Sequence, residues 1–308
     1  MMINNYSLST AWNCLKHENG EAVVSDIKQL GFKAIELNFQ LNVDKLNGIV
    51  EYVRHNNIAI SSIHNYCPHP TNIKDEDANP DIPSLASNEE AIRRQAVSYT
   101  KQTIDTASKV NAGVVIIHSG HVATQLRTKQ LIGFYYSVGK ESKTFRKLFH
   151  EAIDDREQKV KEHFDALTTS CSELLPFAQS RNIRLGIENR FYHRELPSPS
   201  ELKKLFRYFN DDTLSYWHDI GHAFVLEQLG FYSPCLYLES FHKKMIGIHL
   251  HDIINLQDHY APFQGEFDWR ILRRFNLEKV IKVIEVHSCA TSDDILKGVK
   301  RLDTEVFR

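Results

Sequence analysis

The chain has 308 residues, 42% of them hydrophobic and 25% charged. That is the balance of an ordinary soluble globular protein with enough length for a large core, and a single α/β barrel domain can use all of it. Thirty-seven Lys and Arg against 39 Asp and Glu give a formal charge of −2, and the basic residues are scattered, so binding to nucleic acid is not expected. The opening MMINNYSLSTAWN has no basic segment followed by an apolar one, and no apolar run is long enough to cross a bilayer. The expectation is a cytoplasmic protein with no membrane association. Five cysteines, odd in number and without a CxxC pair, read as reduced thiols. The compositional anomaly is the 16 histidines.

In chain order, short β-branched runs alternate with amphipathic stretches, the pattern of parallel strands joined by helices. The strands are expected at roughly 4–9, 33–38, 58–64, 113–118, 183–188, 213–218, 245–250 and 280–286, each followed by a helical segment. That count predicts one (β/α)8 TIM barrel over residues 1–308. Ser87-Asn88-Glu89-Glu90 and Ser198-Pro199-Ser200-Glu201 read as capping boxes that start helices. Two connections are longer than a barrel needs. Residues 65–87 are rich in Pro, Asn and Asp; residues 119–160 suggest an extra hairpin or helix. Both follow strands with a candidate ligand and are expected to overlie the active face as a lid or rim.

Six apolar runs end in His, Asp or Glu: ISSIH (His64), GVVIIH (His118), IRLGIE (Glu188), SYWHDIGH (Asp219, His222), MIGIHLHD (His249) and KVIEVH (Glu285). In a closed parallel barrel these ends converge on one mouth. A carboxylate at the tip of a buried strand is costly unless paired, hydrogen-bonded or metal-bound. Glu188, Asp219, His249 and Glu285 together make a set suited to Mn²⁺, Mg²⁺, Co²⁺ or Zn²⁺, and His64, His118, His222 and His259 supply donors for a second or third ion. His249 and His251 alternate with Leu250 and so share one side of their strand. His121, His251 and Glu36 read equally as partners behind the ligands or as ordinary polar residues of the mouth. His17, His55, His69, His150, His163 and His242 read as surface residues, and 151–162 (EAIDDREQKVKE) as a solvated helix face.

The succession IENR, HDIGH, IHLHD, HYAPFQGEFDW and IEVHS resembles the xylose isomerase-like TIM-barrel superfamily, which contains sugar phosphate isomerases and epimerases and the AP endonuclease family 2. The resemblance runs from AIELNF through the last strand. It implies one divalent ion on Glu188, Asp219, His249 and Glu285. It also implies that Glu188 and Glu285 are the catalytic acid–base pair beside a metal-bound hydroxy-ketone. The endonuclease branch adds ligands matching His64, His118, His222 and His259, and HSGH (His118 to His121) resembles it too. That branch places an Asp two residues before the last of these histidines, where this chain has Gln257; Asp258 is shifted by one, which counts against a complete three-ion site.

The expected function is therefore a divalent-metal-dependent isomerase or epimerase of a small sugar, sugar phosphate or polyol, with no nucleotide cofactor. His222 and His251 would orient substrate hydroxyls, and Arg190 would meet a phosphate or carboxylate. The alternative is a metal-dependent hydrolase or phosphodiesterase, and a barrel that binds without turnover is the third. Homo-oligomerisation is left open.

Overall fold

The computed structural model describes residues 2–307. Seven strands appear in chain order, β1 (Ile3–Ser9), β2 (Phe32–Leu37), β3 (Ala59–His64), β4 (Val114–Ile117), β5 (Arg184–Glu188), β6 (Leu214–Asp219) and β7 (Met245–Leu250). A small antiparallel ribbon, β8 (Asp252–Ile254) and β9 (Gln257–Tyr260), precedes β10 (Ile281–Ile284). β1 to β7 and β10 form a closed parallel barrel, with β10 pairing both β7 and β1. The helices are α1 (Gly20–Gln29), α2 (Val43–Asn56), α3 (Glu90–Lys109), α4 (Arg127–Ser137), α5 (Lys143–Gln179), α6 (Pro199–Phe209), α7 (Ile220–Leu229), α8 (Leu236–Phe241) and α9 (Ser292–Arg301). This is the (β/α)8 TIM barrel that the alternating pattern predicts. Among the described residues no helix is long and apolar enough to cross a membrane, and all five cysteines are free.

Every residue of β6 and of β7 is buried, because a barrel strand packs one face against the helices and the other against the barrel interior. Below the strand tips the interior is plugged by Val114, Ile116, Trp217, Ile246 and Val283. The Trp217 indole fits only because its neighbour in MIGIHL is Gly247, where a Cβ would stand 2.0 Å from the ring. This apolar floor closes the barrel beneath the polar tips.

Local signals decide several boundaries. Ser198 forms the expected capping box with Glu201 at the start of α6. Ser87 does not: its hydroxyl accepts from the Glu89 N–H two residues on, and α3 begins at Glu90 with no side-chain cap. The short turn competes with the cap for the same oxygen. After β7 the expected helix is replaced by the β8–β9 ribbon and a 3-10 turn at Trp269–Arg274. The ribbon turns on Asn255 and Leu256, both left-handed with φ of 54° and 53°, a hairpin geometry that Asn-Leu signals poorly because Asn-Gly is its usual sequence.

The long connections behave differently from each other. Residues 65–87 carry only a 3-10 turn at Asp75–Asp77 and are pinned to α2 through Asp75, which pairs with Lys45 Nζ at 2.7 Å and His69 Nε2 at 2.8 Å. Residues 119–160 form α4 and the first half of α5. Contrary to expectation, they supply none of the residues lining the cavity at the mouth. Two histidines read as surface residues are buried, His69 in the pairing just described and His163. His163 accepts from the Ala123 N–H and donates to the Ala86 carbonyl, tying both long connections to α5. Nor is 151–162 wholly solvated, since the Arg156 guanidinium is buried and forms a two-pronged pair with Glu201.

Candidate metal centre

Glu188 ends β5, Asp219 ends β6, His249 sits in β7 and Glu285 follows β10 directly. Register aligns them, since His249 lies opposite Asp219 on one side and Val283 on the other. The His249 Nδ1 is 2.8 Å from Glu188 Oε1, 3.0 Å from Glu285 Oε2 and 3.4 Å from Asp219 Oδ2. One donor atom from each of the four residues lies within 4.8 Å of all the others. The Nε2 faces Glu36 Oε1 at 3.2 Å, and the Ser62 hydroxyl donates to Glu36 Oε2 at 2.7 Å. With Nε2–H donated to Glu36, the Nδ1 lone pair points at the three carboxylates. A carboxylate behind a ligating imidazole is the usual orienting arrangement in metal sites.

Four buried carboxylates thus surround one imidazole. Burial disfavours charge on His249, yet Glu285 and Glu36 outweigh it and raise its basicity well above the ordinary range. Burial likewise works to protonate Asp219, but His222 and His251 hold it well below the usual carboxylate value. Burial pushes Glu36 up. Such an excess of buried negative charge calls for a cation, and three carboxylates with one imidazole match a divalent ion of the Mn²⁺, Mg²⁺ or Zn²⁺ kind.

A second donor set lies beside it. His222 Nδ1 is 3.0 Å from the Asn189 carbonyl and His259 Nδ1 is 3.0 Å from the Glu285 carbonyl, so each ring can anchor one nitrogen and free the other. The free Nε2 atoms lie 3.5 and 3.6 Å from Asp258 Oδ2. The shift of Asp258 by one position therefore does not remove the carboxylate. His259 is left-handed (φ 64°), which breaks the alternation of a regular strand and lets neighbouring side chains converge.

The third set, His64, His118 and Glu188, also groups within 4.8 Å. Here Arg190 intervenes. Its Nη1 lies 2.6 Å from His118 Nε2 and 2.7 Å from Glu188 Oε2, while Nη2 is 3.2 Å from Asp81 Oδ2 and 3.6 Å from Glu195 Oε1. Arg190 is buried among carboxylates of the protein itself, unlike the anion receptor expected from its position after Glu188. His251 departs from expectation in the same way: Nε2 pairs with Asp219 Oδ2 at 2.9 Å and Nδ1 accepts from the His259 N–H, so both nitrogens are engaged inside the protein. Gly221 of HDIGH leaves room for that ring, since a Cβ there would stand 2.3 Å from it.

These groups open into a cavity of about 370 Å³ whose walls include His64, Asp81, Glu188, His222, Asp258 and Glu285. Larger hollows of about 690 and 590 Å³ lie at the opposite end, among the strand beginnings. Each offers a single carboxylate, Glu278 in one and Asp212 in the other, and none of the clustered donor groups lies in either, so chemistry rather than size locates the site. Sequence reasoning missed Asp81, Glu195 and Asn189. Asn189 links the β5 and β6 tips, donating to the Asp219 carbonyl and accepting from its N–H. Only Asn189 had a usable signal, its place directly after Glu188.

Fold and site together define an α/β barrel with a buried carboxylate–imidazole centre at the carboxyl ends of its strands. Residues 24–304 match the family described as xylose isomerase-like TIM barrel, and the chain belongs to that family. Among solved structures it is similar to a D-tagatose 3-epimerase-like protein, with 18% identity, TM-score 0.69 and 97% of this chain and 96% of that one covered. A 3-keto-D-glucoside 4-epimerase from E. coli gives 12% identity, TM-score 0.69 and coverage of 98% and 100%. A D-allulose 3-epimerase from Methylomonas sp. in complex with D-allulose gives 10% identity, TM-score 0.64 and coverage of 99% and 98%. At these identities the likeness is one of fold. No curated protein matches the chain.

Proposed function

We propose that the protein is a divalent-metal-dependent isomerase or epimerase of a small sugar or related polyol. The observation that carries this reading is the convergence of Glu188, Asp219 and Glu285 on His249 Nδ1 at the floor of a closed-bottomed cavity. An ion held there would polarise two neighbouring substrate oxygens and acidify the C–H beside them. Glu188 ends β5 and Glu285 follows β10, with β6 and β7 between them, so their carboxylates would reach a bound carbon from different sides of the mouth. One would take the proton and the other return it. Asp219, held ionised by His222 and His251, would anchor the ion without taking part in proton transfer. His222 Nε2, facing the cavity, would accept or donate to a substrate hydroxyl. The allulose complex of a fold relative agrees with a ketose-sized ligand. Among the described residues no Lys lines the cavity and the one Arg that does is engaged by carboxylates, which favours an unphosphorylated sugar.

The test is to incubate metal-loaded protein with free ketoses and their phosphate esters in D₂O and follow deuterium incorporation and stereochemistry by NMR. Exchange at the carbon beside the carbonyl, lost in Glu188→Gln and Glu285→Gln, is the expected result. Absence of exchange with every sugar would overturn the reading. One observation favours a second reading, a metal-dependent phosphodiesterase: Asp258 joins His222 and His259 in a set able to hold a further ion. Cleavage of an abasic-site duplex by the zinc-loaded protein would promote it.

A further inference from the structure

The guanidinium of Arg190 contacts two of the three donors of the His64–His118–Glu188 set, His118 Nε2 and Glu188 Oε2, through one nitrogen. We infer that Arg190 is a built-in cation that closes this third donor set, leaving the Glu188–Asp219–His249–Glu285 set and, at most, the His222–Asp258–His259 set open to an ion. The inference rests on the reading of the four-residue set as a metal site.

The geometry is direct. Nη1 donates to Glu188 Oε2 at 2.7 Å and lies 2.6 Å from His118 Nε2, which is itself 2.9 Å from the same carboxylate oxygen. A zinc ion bound to those atoms at about 2.0–2.2 Å would fall in the space of that nitrogen. A guanidinium cannot give up its proton to make way. It could leave only by swinging out, and that would abandon its other partners. Asp81 Oδ2, from the loop over the mouth, and Glu195 Oε1, from the segment after β5, hold Nη2 at 3.2 and 3.6 Å. Arg190 and Glu195 are buried, and stripping the cation from a buried carboxylate is strongly unfavourable. The clamp is therefore held from the side away from the metal centre.

The arrangement also positions Glu188. With Oε2 taken by Arg190, Oε1 is the oxygen left beside His249 Nδ1 at 2.8 Å. The carboxylate is offered to the four-residue set through one oxygen instead of bridging two ions. Arg190 thus acts as a positioning residue and removes the bridge on which a three-ion centre would depend.

The experiment is zinc counting by elemental analysis after saturation and desalting. The proteins are the native chain, Arg190→Gln, His64→Ala, and the double variant Arg190→Gln/His64→Ala, with folding checked by circular dichroism. At most two ions are expected in the native protein, with the same number in His64→Ala. Arg190→Gln should gain one ion, and the double variant should lose that gain. Three tight ions in the native protein, loss of an ion in His64→Ala, or a folded Arg190→Gln with no added ion would each overturn the inference while leaving the four-residue set standing. If Arg190→Gln does not fold, the comparison of native protein with His64→Ala decides. No zinc in any of the proteins would remove the metal reading and this inference together.

Discussion

Glu36 gives the sharpest test of how the proposed metal centre is organised. It is fully buried, contacts the Nε2 of His249 through both oxygens at 3.2 and 3.3 Å, and receives the Ser62 hydroxyl. It touches the imidazole from behind and does not belong to the four-residue donor group. Glu36→Gln keeps the shape and an acceptor oxygen for the Nε2 proton, while the Ser62 hydroxyl can rotate to accept from the new amide. The charge alone is lost. Orienting partners of ligating histidines typically contribute 10–100-fold to metal affinity, so the expected weakening is about 1.4–2.8 kcal/mol. Competition of a fluorescent chelator with the native and variant proteins, at fixed pH and salt, measures it. An affinity unchanged within about twofold would show that Glu36 does not orient the ligand. Complete loss of the tightest ion would instead make Glu36 a ligand, and the assignment of Nδ1 as the metal-facing nitrogen would fail.

How far the sequence reveals this site depends on the origin of each interaction. Strand positions and tip residues are legible because a buried parallel strand shows as an apolar run, and a polar residue ending it marks the mouth. Glu188, Asp219, His249 and Glu285 were readable for that reason. The partners of Arg190 were not. Asp81 stands 109 positions away in a loop without periodicity, and only the folded chain shows that its carboxylate claims the guanidinium. Asp258 was weighed by its motif offset alone, and the left-handed backbone at His259, which the offset does not reveal, lets its carboxylate stand beside His222 and His259. His163 and Arg156 look solvated on a charged helical stretch, yet their partners are a backbone carbonyl and Glu201 from distant segments. Polar residues that bind backbone or distant countercharges carry no local signature of burial.

Asp219→Asn, which removes the charge of a proposed ligand, should lose the tightest ion, and elemental analysis that finds full occupancy would refute the ligand set. Gly247→Ala would drive a methyl into the Trp217 ring, where the ideal Cβ lies only 2.0 Å away. Overpacking of this kind costs about 1–3 kcal/mol or more, and an unchanged urea midpoint would show that the floor is loosely packed. The remaining prediction concerns pH and lies outside the centre. Glu227, on α7, is raised from 4.5 to about 7, chiefly by burial. A carboxyl whose folded value exceeds its unfolded one favours the folded state while protonated. Its contribution is fully present below the unfolded value of 4.5 and is lost as pH climbs through about 7. Glu227→Gln cannot ionise, so it should be more stable than the native protein at pH 8, by an amount on the order of 2–3 kcal/mol. The difference should shrink as pH falls toward 5. Urea unfolding of both proteins across that range reads the effect directly. A gap that stays constant with pH would mean that Glu227 does not carry a raised carboxyl, and a gap that widens toward acid would reverse the sign of the argument.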